Sequence, residues 1–206
     1  MRFRNSFNHV LSTSYKENLP LLNLAYIKNF GGEELTYILV GIIGDSETDN
    51  YEELEFAEKL GEELAKRGYA IICGGRGGVM EAVAKGAKKY GGLTIGILPG
   101  FDKSEANPYI DVVIPTGLGW ARNSIVALAA DIIVAIGGKS GTLSEIAYAW
   151  MYGKKIIAVK NFGGWAQKLA GSRIDERRDD FILPATTVKE VISYISSFLN
   201  KTKKDS

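Results

Sequence analysis

Between residues 37 and 200 the chain alternates short apolar runs with longer stretches in which apolar positions return every three or four residues. TYILVGIIG, YAIICGG, LTIGILPG, VVIPTG, DIIVAIGG and KKIIAVK are near-continuous Val/Ile runs, most of them closed by glycine, and read as strands buried on both faces. Helical spacing fills the intervals. YEELEFAEKLGEELAKRG places Leu54, Ala57, Leu60, Gly61, Leu64 and Ala65 on one face and stops at Gly68. GGVMEAVAKGAKKYGG, ARNSIVALAAD (largely buried) and GTLSEIAYAWMYG predict three more helices. FDKSEANPYID reads as a long loop, and NFGGWAQKLAG as a short helix. After the polar hinge IDERRDD come a short FILP strand and a last helix, TVKEVISYISSFLNK. Strands alternating with helices mean βαβ units. The expected fold is therefore α/β: a single-domain, doubly wound, mostly parallel, Rossmann-like sheet with helices on both faces.

Three segments follow from this pattern: an N-terminal arm or peripheral helix over 1–36, the Rossmann-like domain over 37–200, and a solvated tail over 201–206. Whole-chain properties narrow the function. A net charge of +1 over 206 residues argues against a nucleic-acid partner. No apolar stretch approaches the roughly 20 residues needed to span a bilayer, and the basic first residues lack the apolar core of a leader. With one cysteine, Cys73, no intramolecular disulfide is possible, and the expected location is cytoplasmic. His9 is the one histidine, far from the glycine loops, so neither a Ser-His-Asp triad nor a histidine metal site is expected. No metal is expected. Acid–base work would fall to carboxylates, Lys, Tyr or arginine-assisted water.

Ligands of such sheets sit outside the carboxyl ends of the strands. Three strand-to-helix turns carry glycine there: Gly44-Asp45-Ser46, Gly74-Gly75-Arg76-Gly77-Gly78 and Gly137-Gly138-Lys139-Ser140-Gly141-Thr142. Glycine lets backbone approach a ligand, and the first amides of the following helix favour an anion. Two multi-glycine loops in one sheet point to a phosphate-bearing ligand rather than to tight turns alone. Named motifs fail: Walker A would need glycine at Ile133, and G-x-G-x-x-G starting at Gly75 would need it at Met80. Thr142-Leu143-Ser144-Glu145 fits a capping box, leaving Glu145 open between helix cap and chemical group. Lys139 is a phosphate contact or a solvated loop charge; Arg122 can reach the same crevice or lie on the surface. Cys73 reads as a small core residue. Met80 and the Trp150-Met151-Tyr152 cluster read as packing or subunit contact. Asp45 would repel a phosphate unless neutralised.

VGIIG, GGRGGVMEAVAKGA, GILPG, ANPYIDVVIPTGLGWARN and IGGKSGTLSEIAYAW together resemble the LOG-like Rossmann-fold nucleotide-binding superfamily, over roughly residues 38–160. The likeness is to its molybdenum cofactor carrier branch and, more distantly, to the cytokinin-activating phosphoribohydrolases. The resemblance implies a homodimer or homotetramer with a small phosphorylated ligand, AMP-like or the molybdenum cofactor, at the carboxyl edge of the sheet. Gly137, Gly138, Gly141 and Thr142 match the family's phosphate-binding part, and with the glycine-loop reading the binding candidates are Gly44, Ser46, Gly74, Gly75, Gly77, Gly78, Met80, Arg122, Asn123, Gly137, Gly138, Lys139, Ser140, Gly141 and Thr142. In the hydrolases an Arg-Lys pair and the Glu of PGGxGTxxE are catalytic, and Arg122 and Glu145 match the Arg and the Glu. Ile136 stands where those enzymes have proline, Asn123 replaces the lysine, and GGRGGVME replaces GGGxxGLMG. These departures favour a carrier or sensor over a nucleoside 5′-monophosphate phosphoribohydrolase. The lysine decarboxylase label attached to many such proteins needs a pyridoxal phosphate lysine, and nothing beyond Lys139 suggests one.

Overall fold

A computed structural model describes residues 37–202, with side chains to residue 199. The expected arm over 1–36 and the last four tail residues lie outside the described residues. Seven strands form one parallel sheet: β1 (Leu39–Gly44), β2 (Ala70–Cys73), β3 (Thr94–Leu98), β4 (Val112–Pro115), β5 (Ile132–Ile136), β6 (Lys155–Val159) and β7 (Leu183–Ala185). Six α-helices are described: α1 (Tyr51–Lys66), α2 (Val79–Lys88), α3 (Asn123–Ala129), α4 (Ser140–Met151), α5 (Gly164–Leu169) and α6 (Val188–Thr202). The strand order is β4-β3-β2-β1-β5-β6-β7. Among these residues no helix is long and apolar enough to cross a membrane.

Strand period two divides the core into two layers. Val40 and Ile42 of β1 and Ile132, Val134 and Ile136 of β5 face α1, α2 and α6. Ile43, Ile133 and Ala135 face α3, α4 and α5. Both faces are therefore covered, which is why these strands read as unbroken apolar runs. The α1 and α2 backbones meet at two glycines: a Cβ on Gly61 would land on the Val83 carbonyl oxygen, and one on Gly86 on that of Glu58. Lys85 and Lys89 flank this crossing with ion pairs to Glu58 at 3.0 and 2.7 Å.

Two expected elements differ. The segment read as one largely buried helix splits into a 3-10 turn, Gly119–Arg122, and the seven-residue α3, with Leu128 56% exposed. A helix this short covers the sheet with one face alone. FILP pairs later than expected, because β7 aligns with β6 only from Ile157↔Leu183 onward, and Phe181 points to solvent.

Candidate functional site

Strand order reverses between β1 and β5, and the crevice at their carboxyl ends is where such sheets bind ligands. Gly44 pairs with Ile136, and a Cβ there would lie 2.6 Å from the Ile136 carbonyl oxygen. Past β5 the chain turns through Gly137 (φ +57°) and Gly138 (φ +97°), which only glycine adopts without strain. The first amides of α5 close this turn, Ala166 N–H donating to Gly137 O and Trp165 N–H to Gly138 O, both at 2.9 Å.

Helix α4 then starts at Ser140 without a cap: Lys139 offers no side-chain acceptor, and its first turn holds no acidic residue. Compare α1, where Asn50 Oδ1 accepts the amides of Glu52 and Glu53 at 3.1 and 3.2 Å, and two glutamates occupy the first turn. The amides of Ser140, Gly141 and Thr142 have no carbonyl one turn earlier in the helix to receive them. They present the positive end of a twelve-residue helix to the crevice. Of the two alternatives for Glu145, the capping box with Thr142 does not form. Thr142 is already the third helical residue, and Glu145 lies in the second turn, too deep to reach back to the first amides.

Glu145 meets Arg122 instead, with Arg122 Nη1 donating to Oε1 at 3.4 Å. Both are buried, at 5% and 7% exposure for the arginine and the glutamate. The guanidinium packs against Gly74, where a Cβ would come within 2.5–2.7 Å of Arg122 Nη2, Nη1 and Met80 Sδ. A side chain at 74 would therefore have to displace the ends of Arg122 and Met80. Burial pushes the Glu145 carboxyl up to about 7, with Arg122 pulling it back. Burial likewise lowers the Arg122 guanidinium, Glu145 opposing. Among the described residues, Arg122 Nε has no hydrogen-bond partner. Cys73, directly beneath, is pushed up to about 11 by burial and is a thiol, accepting the Gly75 N–H at 3.4 Å. Asn123 is buried and donates to Ser144 Oγ at 2.8 Å, fastening the start of α3 to α4.

The second glycine loop is partly scaffold. Gly75 (φ +74°) packs on Gly96, and its carbonyl is held by Asn107 N–H at 2.9 Å. Gly78 (φ +63°) packs on the Asp45 and Ser46 backbone, and Gly77 on the Ser46 carbonyl. Ser46 therefore acts here through its main chain. The structure brings together Gly74, Met80, Arg122, Asn123, Glu145 and the 137–142 turn, while Gly75, Gly77 and Gly78 shape the wall beside them. Lys139 extends outward, its side chain 78% exposed and 4.0 Å from Asp45.

Three features were not among the sequence-derived candidates. Asp45 Oδ2 accepts the Gly138 N–H at 2.7 Å, so this amide is already taken by an internal carboxylate. Glu53 is 2% exposed; Thr48 Oγ1 donates to its Oε2 at 2.7 Å, and among the described residues its Oε1 has no partner. Burial raises the Glu53 carboxyl, against the Thr48 hydroxyl bond; Asp45 adds to the rise and Lys139 opposes it. A signal for Glu53 was present, since 53, 57, 60 and 64 continue one helical face. Arg76, exposed in the glycine loop, is close enough to act electrostatically on Arg122. Among the described residues, no group of three or more His, Cys, Asp or Glu is arranged to hold a metal.

The chain belongs to the SLOG cluster4 family, whose model matches residues 37–192. It is similar to the molybdenum cofactor binding protein of Rippkaea orientalis, with 34% identity and a TM-score of 0.72 over 81% of this chain and 99% of that one. It is similar also to the molybdenum cofactor carrier protein of Chlamydomonas reinhardtii: 32% identity, TM-score 0.68, 80% of this chain and 99% of that one. In sequence it is 33% identical over 119 residues to the cytokinin riboside 5′-monophosphate phosphoribohydrolase of Mycobacterium tuberculosis, over 53% of this chain and 64% of that protein.

Proposed function

We propose that this SLOG cluster4 protein binds a small phosphorylated, nucleotide-like ligand in the β1–β5 crevice, as a carrier or sensor. The observation that carries the reading is the uncapped start of α4: three amides and a helix dipole open on the crevice, with Arg122 paired to Glu145 in the next turn of the same helix. The phosphate would sit on the amides of Ser140, Gly141 and Thr142. A nucleotide or the molybdenum cofactor meets this requirement, because each carries a phosphate and a flat heterocycle. The likeness to molybdenum cofactor binding and carrier proteins along nearly their whole length supports the carrier role. Exposed Leu118, Leu128, Met151 and Tyr152 support assembly as a homodimer or homotetramer.

One observation favours a second reading, hydrolysis of a nucleoside 5′-monophosphate to free base and ribose 5-phosphate. Glu145 is buried with Arg122, does not cap α4, and has a carboxyl raised to about 7, a value suited to taking a proton from water near neutrality. In that reaction water adds to the ribose C1′ as the bond to the base nitrogen breaks. Glu145 would orient the water or stabilise the oxocarbenium-like ribose, and Arg122 the charge on phosphate or departing base. Asn123 stands where the hydrolases carry lysine and is tied to Ser144, which favours binding without turnover.

Incubation with AMP and the other nucleoside monophosphates, assayed for free base and ribose 5-phosphate with Glu145→Gln in parallel, separates the two. Turnover lost in the variant establishes the hydrolase. Binding without turnover supports carriage or sensing, and failure to bind any phosphorylated ligand overturns both. A further expected outcome concerns Asp45. Asp45→Ala releases the Gly138 amide and removes a negative charge, so calorimetric affinity for inorganic phosphate should rise about tenfold. An unchanged affinity would place the phosphate away from Gly138.

A further inference from the structure

We propose that Trp120 is the platform on which the flat heteroaromatic ring of the ligand stacks, and hence a residue that selects ring-bearing phosphates over simple ones. The proposal rests on the phosphorylated-ligand reading above. Trp120 is 76% exposed, although Arg122 and Asn123, immediately after it, are 5% and 3% exposed. The chain turns over at this point: the tryptophan stands on the outside of the 3-10 turn whose last residue feeds the buried guanidinium.

The three tryptophans differ in their partners. Arg178 lies over the Trp150 ring at 4.6 Å, and Trp150 Nε1–H donates to Asp175 at 2.8 Å. Lys168 lies over the Trp165 ring at 4.7 Å. Among the described residues no cation or second ring meets Trp120. Leaving so large an apolar face in water is unfavourable, and a flat ligand ring would relieve it.

Its position gives the face a use. Trp120 Cζ3 is 3.9 Å, and Asn123 Nδ2 3.8 Å, from the point where a Cβ on Gly141 would sit. Both are ordinary contact distances, and Gly141 is not among the glycines with positive φ. The fold therefore tolerates a side chain at 141, yet the residue there has none. Its absence leaves the gap between the indole and the uncapped α4 amides open. A phosphate on the amides and a ring on the indole are then two ends of one molecule, with ribose or a similar linker across Gly141. Purine and pterin rings share this chemistry.

Calorimetric titration tests it, using wild type, Trp120→Ala and Trp120→Tyr against AMP, neopterin monophosphate, ribose 5-phosphate and inorganic phosphate. The wild type should favour at least one ring-bearing ligand over ribose 5-phosphate. That preference should fall roughly 10- to 100-fold in Trp120→Ala and be largely restored by Trp120→Tyr. Affinities for ribose 5-phosphate and phosphate should stay unchanged, and the larger loss between the AMP and neopterin arms identifies the ring. An equal loss for all four ligands, or a change of size in sedimentation with the ring preference intact, makes Trp120 a packing or subunit-contact residue. Either result overturns the platform while the phosphorylated-ligand reading stands. A wild type that binds phosphate and ribose 5-phosphate with no preference for a ring does the same. A wild type that binds none of the four overturns that reading and the platform with it.

Discussion

Glu145→Gln is expected to make the protein more stable at pH 8, by up to about 3 kcal/mol, while abolishing any hydrolysis. Burial raises this carboxyl from 4.5 to about 7, so the folded state holds its proton more tightly than the unfolded chain does. The stabilisation linked to that proton is complete below pH 4.5 and is lost as pH rises through 7, at about 1.4 kcal/mol per pH unit. Glutamine imitates the protonated form and does not titrate, and its amide oxygen can still accept from Arg122. The two proteins should thus match in acid and separate toward pH 8, as read by urea unfolding at each pH. A helix cap would give the opposite sign, since an anionic cap stabilises most when ionised. A wild-type profile parallel to that of the variant would mean an ordinary carboxylate and would remove Glu145 from acid–base chemistry. The expected pattern, stability sacrificed at one buried group, is common where a site needs a poised acid.

The other large effect is a loss. Alanine ordinarily improves a helix by about 1 kcal/mol over glycine, yet Gly86→Ala should cost about 3 kcal/mol and lower the melting temperature by roughly 10 °C. The new methyl would land on the Glu58 carbonyl oxygen, with the carbonyl carbon at 2.8 Å and Cα at 3.1 Å. All three are backbone atoms of α1 and cannot swing aside. Relief requires α1 and α2 to separate along a crossing where Gly61 makes the reciprocal contact. Because α2 begins directly after the 74–78 loop, separation would also shift the bed on which Arg122 lies. Thermal unfolding checks the first effect, and an unchanged melting temperature would show that the helices do not meet this closely.

Much of the fold could be read from periodicity because this sheet is covered on both sides. Runs such as DIIVAIGG are continuous only when both layers need apolar contacts, and Ile133 and Val134 serve opposite layers. What periodicity could not supply was pairing between distant residues. Asp45 could be suspected of repelling phosphate, but its bond to Gly138 joins positions 93 apart and follows from strand order rather than local pattern. Glu53 escaped for a different reason: it continues the buried face of α1 at 57, 60 and 64, but a glutamate there also reads as that face's solvated edge, and the contact with Gly137 decides between the two. Resemblance pointed to Arg122 and Glu145, and the residues themselves did not reveal that the two meet. The helix-cap alternative for Glu145 falls because α4 starts at Ser140, three residues before the Leu143 start that a cap at Thr142 would give.

The strand order has a consequence for the history of each molecule. β1 to β4 pair in the order they emerge, each with its predecessor, but β5 must return across the set to lie beside β1, as in Val40↔Ile132. Closing that long loop is the entropically costly step. Until it happens, the edge of β1, with Val40 and Ile42, is an open template for another strand. The crevice is built from the ends of these same two strands, so it does not exist before the return is complete. A ligand that grips it would recognise finished chains alone and, by mass action, draw the population away from chains that can still pair wrongly.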